Sequence, residues 1–153
     1  MIWLLRFGAF VWGGTALLSA SDSTRTIVFF GDSVTAGYGL VDPASEAYPA
    51  LIQEKINAAH PGWRVVNAGL SGETTAGGLR RVDWILRAPV DLFVLALGAN
   101  DGLRGLSPAL ARTNLQQIIE RVRAKNPRVK IVLAGMQLPS EMGLEFSREF
   151  GKI

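Results

Sequence analysis

Four short apolar runs divide the chain, and the hydrophobic period changes between them. "TIVFFG" (26–31), "RVVNAG" (64–69), "DLFVLALG" (91–98) and "KIVLAGM" (130–136) are rich in β-branched residues and alternate little. A strand with one wet face alternates, and a strand covered on both faces does not, so these runs predict a buried parallel sheet. Three of them stop at a glycine, and the fourth runs through Gly135. Between the runs, apolar positions step at helical spacing. Ala111, Leu115, Ile118, Ile119 and Val122 line one such face, with Ser107-Pro108 as cap and first residue and Asn126-Pro127 as stop. Leu79, Val82 and Leu86 mark a second helix, and Leu51, Ile52, Ile56 and Ala59 a third that opens at Pro49. Strands and helices in alternation imply right-handed crossovers and a three-layer α/β/α domain.

The first twenty residues break this pattern. "MIWLLRFGAFVWGGTALLSA" carries one charge, Arg6, then an apolar stretch and the small residues Ser19 and Ala20. That arrangement predicts a secretory signal cut after Ala20, although Leu18 occupies a position where a small residue is preferred. The alternative is an uncleaved N-terminal anchor, since 1–20 is just long enough to span a bilayer. On either account residues 21–153 form the folded domain, exported to the periplasm or the medium, and the membrane is a partner only if the segment stays attached.

Composition narrows the chemistry. Of the 153 residues, 48% are apolar and 19% charged, which suits one domain with a real core and excludes a disordered chain. The net charge of +3 comes from scattered Lys and Arg, so no basic stripe predicts a nucleic-acid partner. There is no cysteine, hence no thiolate nucleophile or thiolate metal site, and the single histidine, His60, excludes a multi-histidine metal centre. No cofactor is expected. "GETTAGGL" has phosphate-loop glycine spacing, but Gly78 stands where the lysine is required.

In an open parallel sheet, functional groups gather at the carboxyl ends of the strands. Ser33 follows the first run, Gly69 ends the second and Asn100 follows the third, so the fold class alone brings these three to one rim. Each has a plain structural explanation as a cap, a turn glycine or an Asx-turn. Together they make a nucleophile with oxyanion donors: Ser33 Oγ to attack a carbonyl, and the Ser33 and Gly69 N–H groups with the Asn100 side-chain amide to hold the oxyanion.

"GDSVTAGYGL", "VNAGLSGETTAGGLRR" and "LALGANDGLRG" resemble the first three sequence blocks of the GDSL, or SGNH, hydrolases. The likeness is to the bacterial branch containing thioesterase I, lysophospholipase L1 and secreted arylesterases, and covers nearly everything from Thr26 onward. It implies a flavodoxin-like α/β/α fold with Ser33 as the catalytic serine and Gly69 and Asn100 in the oxyanion hole. It also implies that "MQLPSEMG" (136–143) borders an acyl pocket and that "GLRG" (102–105) moves when an acyl chain binds.

The family's base is a histidine in a late Asp-x-x-His block, and no Asp-x-x-His occurs in these 153 residues. His60 precedes the second strand, at the amino end of the sheet. Five or six strand residues, about 17–20 Å, separate it from the rim, so it is expected to be structural or superficial. Met142, Phe146, Phe150 and Ile153 form a helical stripe with no stop. Compared with the family, a last strand, the catalytic Asp and His and a final helix are missing, so the chain is expected to be an incomplete, nearly inactive hydrolase. The expected activity of the complete enzyme is that of a serine esterase, thioesterase or lysophospholipase, hydrolysing small-molecule acyl esters or thioesters through acyl-Ser33. A sugar-ester deacetylase of the same fold and a non-catalytic binding protein are the alternatives.

Overall fold

The structure, a computed structural model, describes residues 24–135, 147–149 and 151–152. The N-terminal segment 1–23, the segment 136–143 and the stripe residues Met142, Phe146, Phe150 and Ile153 lie outside the described residues. Four parallel strands form one sheet in the order β2-β1-β3-β4: β1 (Arg25–Gly31), β2 (Trp63–Gly69), β3 (Leu92–Ala96) and β4 (Lys130–Leu133). The weakly alternating runs are explained at β1, where Ile27, Val28, Phe29 and Phe30 are all buried. Val28 and Phe30 belong to the main core with Phe93, Leu95, Val82, Leu115, Ile118 and Val122, while Phe29 meets Tyr48 edge-on at 5.3 Å. Each fully buried Phe, Leu or Ile contributes about 1.5–3 kcal/mol.

Three longer helices cover the sheet: α3 (Tyr48–Ala59), α4 (Thr75–Ile85) and α6 (Pro108–Lys125). The α6 helix keeps the expected bounds. Ser107 accepts from the Leu110 N–H, Pro108 occupies the first turn, and Ala111, Leu115, Ile118 and Val122 are its buried face. Three single-turn helices have no periodic signal in the sequence: α1 (Ser33–Ala36), α2 (Pro43–Glu46) and α5 (Ala99–Leu103). They are too short to show a hydrophobic period, and two of them carry the candidate chemistry.

Two strands are shorter than their apolar runs. β3 stops at Ala96 because the chain turns at Gly98, which has φ +128°. β4 stops at Leu133, one residue before a last ladder bond from the Ala134 N–H to the Leu95 carbonyl at 2.9 Å.

Strand order fixes where a site can form. The chain passes from β1 to β2 on one side, then crosses to β3 on the other side of β1. The crevice at that reversal, beyond the carboxyl ends of β1 and β3, is where open α/β sheets take ligands.

Candidate active site

Ser33 and Asn100 stand on either side of that crevice. β1 ends at Gly31, Asp32 caps α1 by accepting from the Val34 N–H at 3.1 Å, and Ser33 is the first helical residue. The cap is therefore Asp32, which leaves Ser33 without that structural duty. As the first residue of a helix, Ser33 has no intrahelical acceptor for its N–H. It has no other acceptor among the described residues.

Asn100 is the second residue of α5, and its Nδ2 donates to the main-chain carbonyl of Glu73 at 3.0 Å. An amide NH2 carries two hydrogens, so one remains for a ligand while the other fixes the orientation. Its neighbour Asp101 is buried and ties α5 to the start of α4: Oδ2 accepts from the Thr75 N–H at 2.8 Å and Oδ1 from the Thr75 hydroxyl at 2.7 Å.

Gly69 reaches the same rim, but its N–H is not free. It donates to Asn67 Oδ1 at 2.9 Å, and Asn67 Nδ2 in turn donates to the Thr35 carbonyl at 2.8 Å. The glycine is needed for packing: a Cβ there would lie 2.2 Å from Ala36 N and 2.7 Å from the Thr35 carbonyl carbon. The expectation that Gly69 offers an oxyanion N–H is therefore corrected. Its place under α1 consumes both its space and its donor.

The next loop has what Gly69 lacks. The Leu70 N–H donates to the Gly31 carbonyl at 3.0 Å, fastening the loop to the end of β1. The Glu73 N–H returns to the Leu70 carbonyl at 3.1 Å, closing a turn in which Gly72 has φ +77°. A positive φ at the third turn position calls for glycine. The Ser71 and Gly72 N–H groups have no acceptor among the described residues, and the Gly72 carbonyl accepts from Arg104 Nη2 at 2.9 Å. The glycine signal in "LSGET" was visible in the sequence, and the bond that disqualifies Gly69 was not.

Asp32 is the electrostatic oddity of the site. It is 2% exposed, and its Oδ2 has no hydrogen-bond partner among the described residues. Burial raises its pKa above the usual carboxylate value, against the lowering effect of the Val34 N–H. Tyr48 is raised too, first by burial and also by the Asp32 charge, while its bond to Thr35 Oγ1 at 2.9 Å opposes the shift.

His60 is exposed and ends α3, three residues before β2 begins. The seven residues of β2 put it about 20 Å from the rim at roughly 3.3 Å per residue. It lies far beyond hydrogen-bond reach of Ser33. A cleft of about 470 Å³ opens elsewhere, along the β2 edge between Pro43, Pro49, Gln53 and Asn67, away from Ser33 and Asn100. There the Gln53 amide bonds to the Val65 N–H and the Trp63 carbonyl, satisfying part of the strand edge.

Several apolar side chains are exposed on the segments that follow the strand ends. Val34, Tyr38, Leu70, Leu103 and Leu106 are all substantially exposed, and all lie on loops or short helices beyond strand ends. Among the described residues no helix is long and apolar enough to cross a membrane.

Comparison with known proteins places the chain in a family. Residues 29–151 match the model of the GDSL-like Lipase/Acylhydrolase family. The chain is 37% identical over 138 residues to Esterase TesA of Pseudomonas aeruginosa, covering 90% of this chain and 67% of that one. It is 37% identical over 129 residues to thioesterase 1/protease 1/lysophospholipase L1 of Escherichia coli K12, covering 84% and 59% respectively. The crystal structure of AlinE4, an SGNH-hydrolase family esterase, superposes with a TM-score of 0.76 at 42% identity, over 83% of this chain and 67% of that one. The chain thus spans 59–67% of the length of these relatives.

Proposed function

The chain belongs to the GDSL-like Lipase/Acylhydrolase family, and we propose that its site is that of a serine hydrolase of small acyl esters or thioesters, with Ser33 as the nucleophile that becomes acylated. The observation that carries this is the convergence of Ser33, the 70–73 loop and Asn100 at the reversal of strand order, with donors that have no acceptor among the described residues. Ser33 Oγ attacks the substrate carbonyl, and the negative charge that develops on its oxygen is held by the Ser33 N–H, the second hydrogen of Asn100 Nδ2 and a third donor. We assign that third donor to the Gly72 N–H in place of Gly69. Gly72 has no side chain to obstruct a substrate oxygen, and it directly precedes the carbonyl that orients Asn100. Donors fixed before reaction are the largest usual source of stabilisation in acyl transfer.

Attack also requires a base to take the Ser33 proton. We assign that role to no residue of these 153, because the sole histidine is at the opposite end of β2. The same fact is what favours the second reading, a binding protein that keeps the pocket without turnover. The exposed apolar side chains Val34, Leu70, Leu103 and Leu106, on the segments after the strand ends, favour an acyl chain over an acetylated sugar. The N-terminal pattern of 1–20 supports an exported protein with the hydrolase domain in 21–153, attached to a membrane only where that segment is retained.

The test compares short p-nitrophenyl esters, an acetylated polysaccharide and a non-hydrolysable fatty-acyl amide. The chain joined to a family-type Asp-x-x-His segment should hydrolyse the first far faster than the second. Tight amide binding without turnover in the joined chain would favour the binding protein.

A further inference from the structure

The donors at the rim need something to hold them in place, and one side chain joins Glu73 to the ends of two strands. Arg81, on α4, donates from Nη2 to the Ala68 carbonyl at 2.8 Å, near the end of β2, and to the Gly31 carbonyl at 3.4 Å, at the end of β1. Its Nε and Nη2 pair with Glu73 Oε2. The guanidinium carbon stands 4.1 Å from the centre of the Phe30 ring, stacking the group on the main core. The ion pair is poorly solvated, with the Glu73 side chain 4% exposed and that of Arg81 22% exposed.

Glu73 closes the circuit. Its main-chain carbonyl orients Asn100 Nδ2, its N–H closes the turn containing Gly72, and its side chain is held by Arg81. We infer that Arg81 is a positioning residue: it clamps Glu73 to the ends of β1 and β2, so that the Ser33, Gly72 and Asn100 donors keep one fixed separation.

The choice of arginine follows from the acceptors. Two strand-end carbonyls and a carboxylate lie around one planar group, and the fork of guanidinium donors can serve them together while its face lies on an aromatic ring. A lysine ammonium is a point charge and cannot reach all three from one position.

This inference rests on the serine-hydrolase reading for its functional meaning, but the clamp can be tested without turnover. The experiment is ¹H–¹⁵N NMR on the full chain and on Arg81→Lys, Arg81→Met and Glu73→Gln. In the unsubstituted chain the two Asn100 side-chain hydrogens should be well separated in shift, with one protected from exchange. In Arg81→Met that protection should fall at least tenfold and the Gly72 N–H should shift, while the Thr75 N–H, held independently by Asp101, stays put. Arg81→Lys should give an intermediate result. If Arg81→Met does not fold, Glu73→Gln provides the same readout, because it removes the ion pair and keeps the main-chain bonds. Unchanged Asn100 and Gly72 signals in a folded variant would overturn the inference. Hydrolysis measured in parallel, on the chain joined to an Asp-x-x-His segment, should show kcat reduced about 100-fold in Arg81→Lys with KM within threefold. If the joined, unsubstituted chain shows no Ser33-dependent hydrolysis while the NMR effects appear, the hydrolase reading fails and the clamp stands.

Discussion

Asp101 grips Thr75 with both carboxylate oxygens, one on the N–H and one on the hydroxyl, across 26 positions of sequence. This buried pair fastens the turn that carries Asn100 to the first residue of α4, and Asn114 Nδ2 adds a bond to the Thr75 hydroxyl from α6 at 3.0 Å. Three helices thus meet on one polar network inside an otherwise apolar layer. A buried donor left without its acceptor costs about 1–3 kcal/mol. Asp101→Ala should therefore lower stability by roughly 2–6 kcal/mol, from two such donors, and Asp101→Asn by about half of that, because the amide oxygen can still accept from one of them. Urea unfolding checks this: the midpoint should fall with the slope unchanged.

Asn100→Ala in a turnover-competent form should reduce kcat by about 10²–10³, the usual cost of one oxyanion donor. KM should change little, since the second amide hydrogen acts on charge that develops only in the transition state. Steady-state kinetics with p-nitrophenyl esters separates this from a ground-state binding role, in which KM would rise instead.

The two glycines should behave differently. Gly69→Ala forces a methyl into the backbone of α1, and displacement of Thr35 and Ala36 should cost about 1–3 kcal/mol or more. At Gly72 a Cβ meets only Arg104 Nη2, at 3.5 Å, so the cost is the left-handed backbone, about 1–2 kcal/mol. Thermal unfolding of both variants should show the larger loss at Gly69. Equal or reversed losses would mean that Gly69 is not wedged under α1.

The sheet, its parallel sense and the long α6 were legible because the apolar runs alternate little and because α6 carries its own cap and stop; burial on both faces accounts for this at β1 but not at β4, where Val132 and Leu133 are exposed. The same logic placed Ser33 and Asn100, since strand ends determine the rim before any side chain is considered. What was not legible depended on contacts between distant residues. Nothing local in "NAG" reveals that Asn67 takes the Gly69 N–H. Nothing in "GGLRR" tells Arg81 from Arg80, yet the first reaches two strand ends and a buried carboxylate while the second is exposed. The short helices α1, α2 and α5 escaped because a single turn has no period to detect.

Asp32 makes stability depend on pH in the sense opposite to a salt-bridged carboxylate. Burial raises its folded pKa above the ordinary 3.8, so the folded state holds this proton more tightly than the unfolded chain. The resulting stabilisation is complete below the unfolded pKa and is lost as pH rises through the folded one. Asp32→Asn keeps an oxygen for the Val34 N–H and stays neutral at every pH. Its stability relative to the unsubstituted chain should improve steadily from about pH 3.8 upward until the folded pKa is passed. A difference that stays constant with pH would contradict the burial effect.

The central proposal is that Ser33 is the nucleophile, set among fixed donors, and that His60, at the opposite end of β2, is not its base. The most direct measurement is peptide mapping by mass spectrometry after reaction with a serine-directed fluorophosphonate, on the chain alone and on the chain joined to a family-type Asp-x-x-His segment. The joined chain should carry one adduct, on Ser33, lost in Ser33→Ala together with ester hydrolysis. The chain alone should turn over slower by a factor on the order of 10⁶, because nucleophile and base act as a unit. An adduct on Ser71 or another serine, or turnover by the chain alone within tenfold of the joined form, would contradict the account.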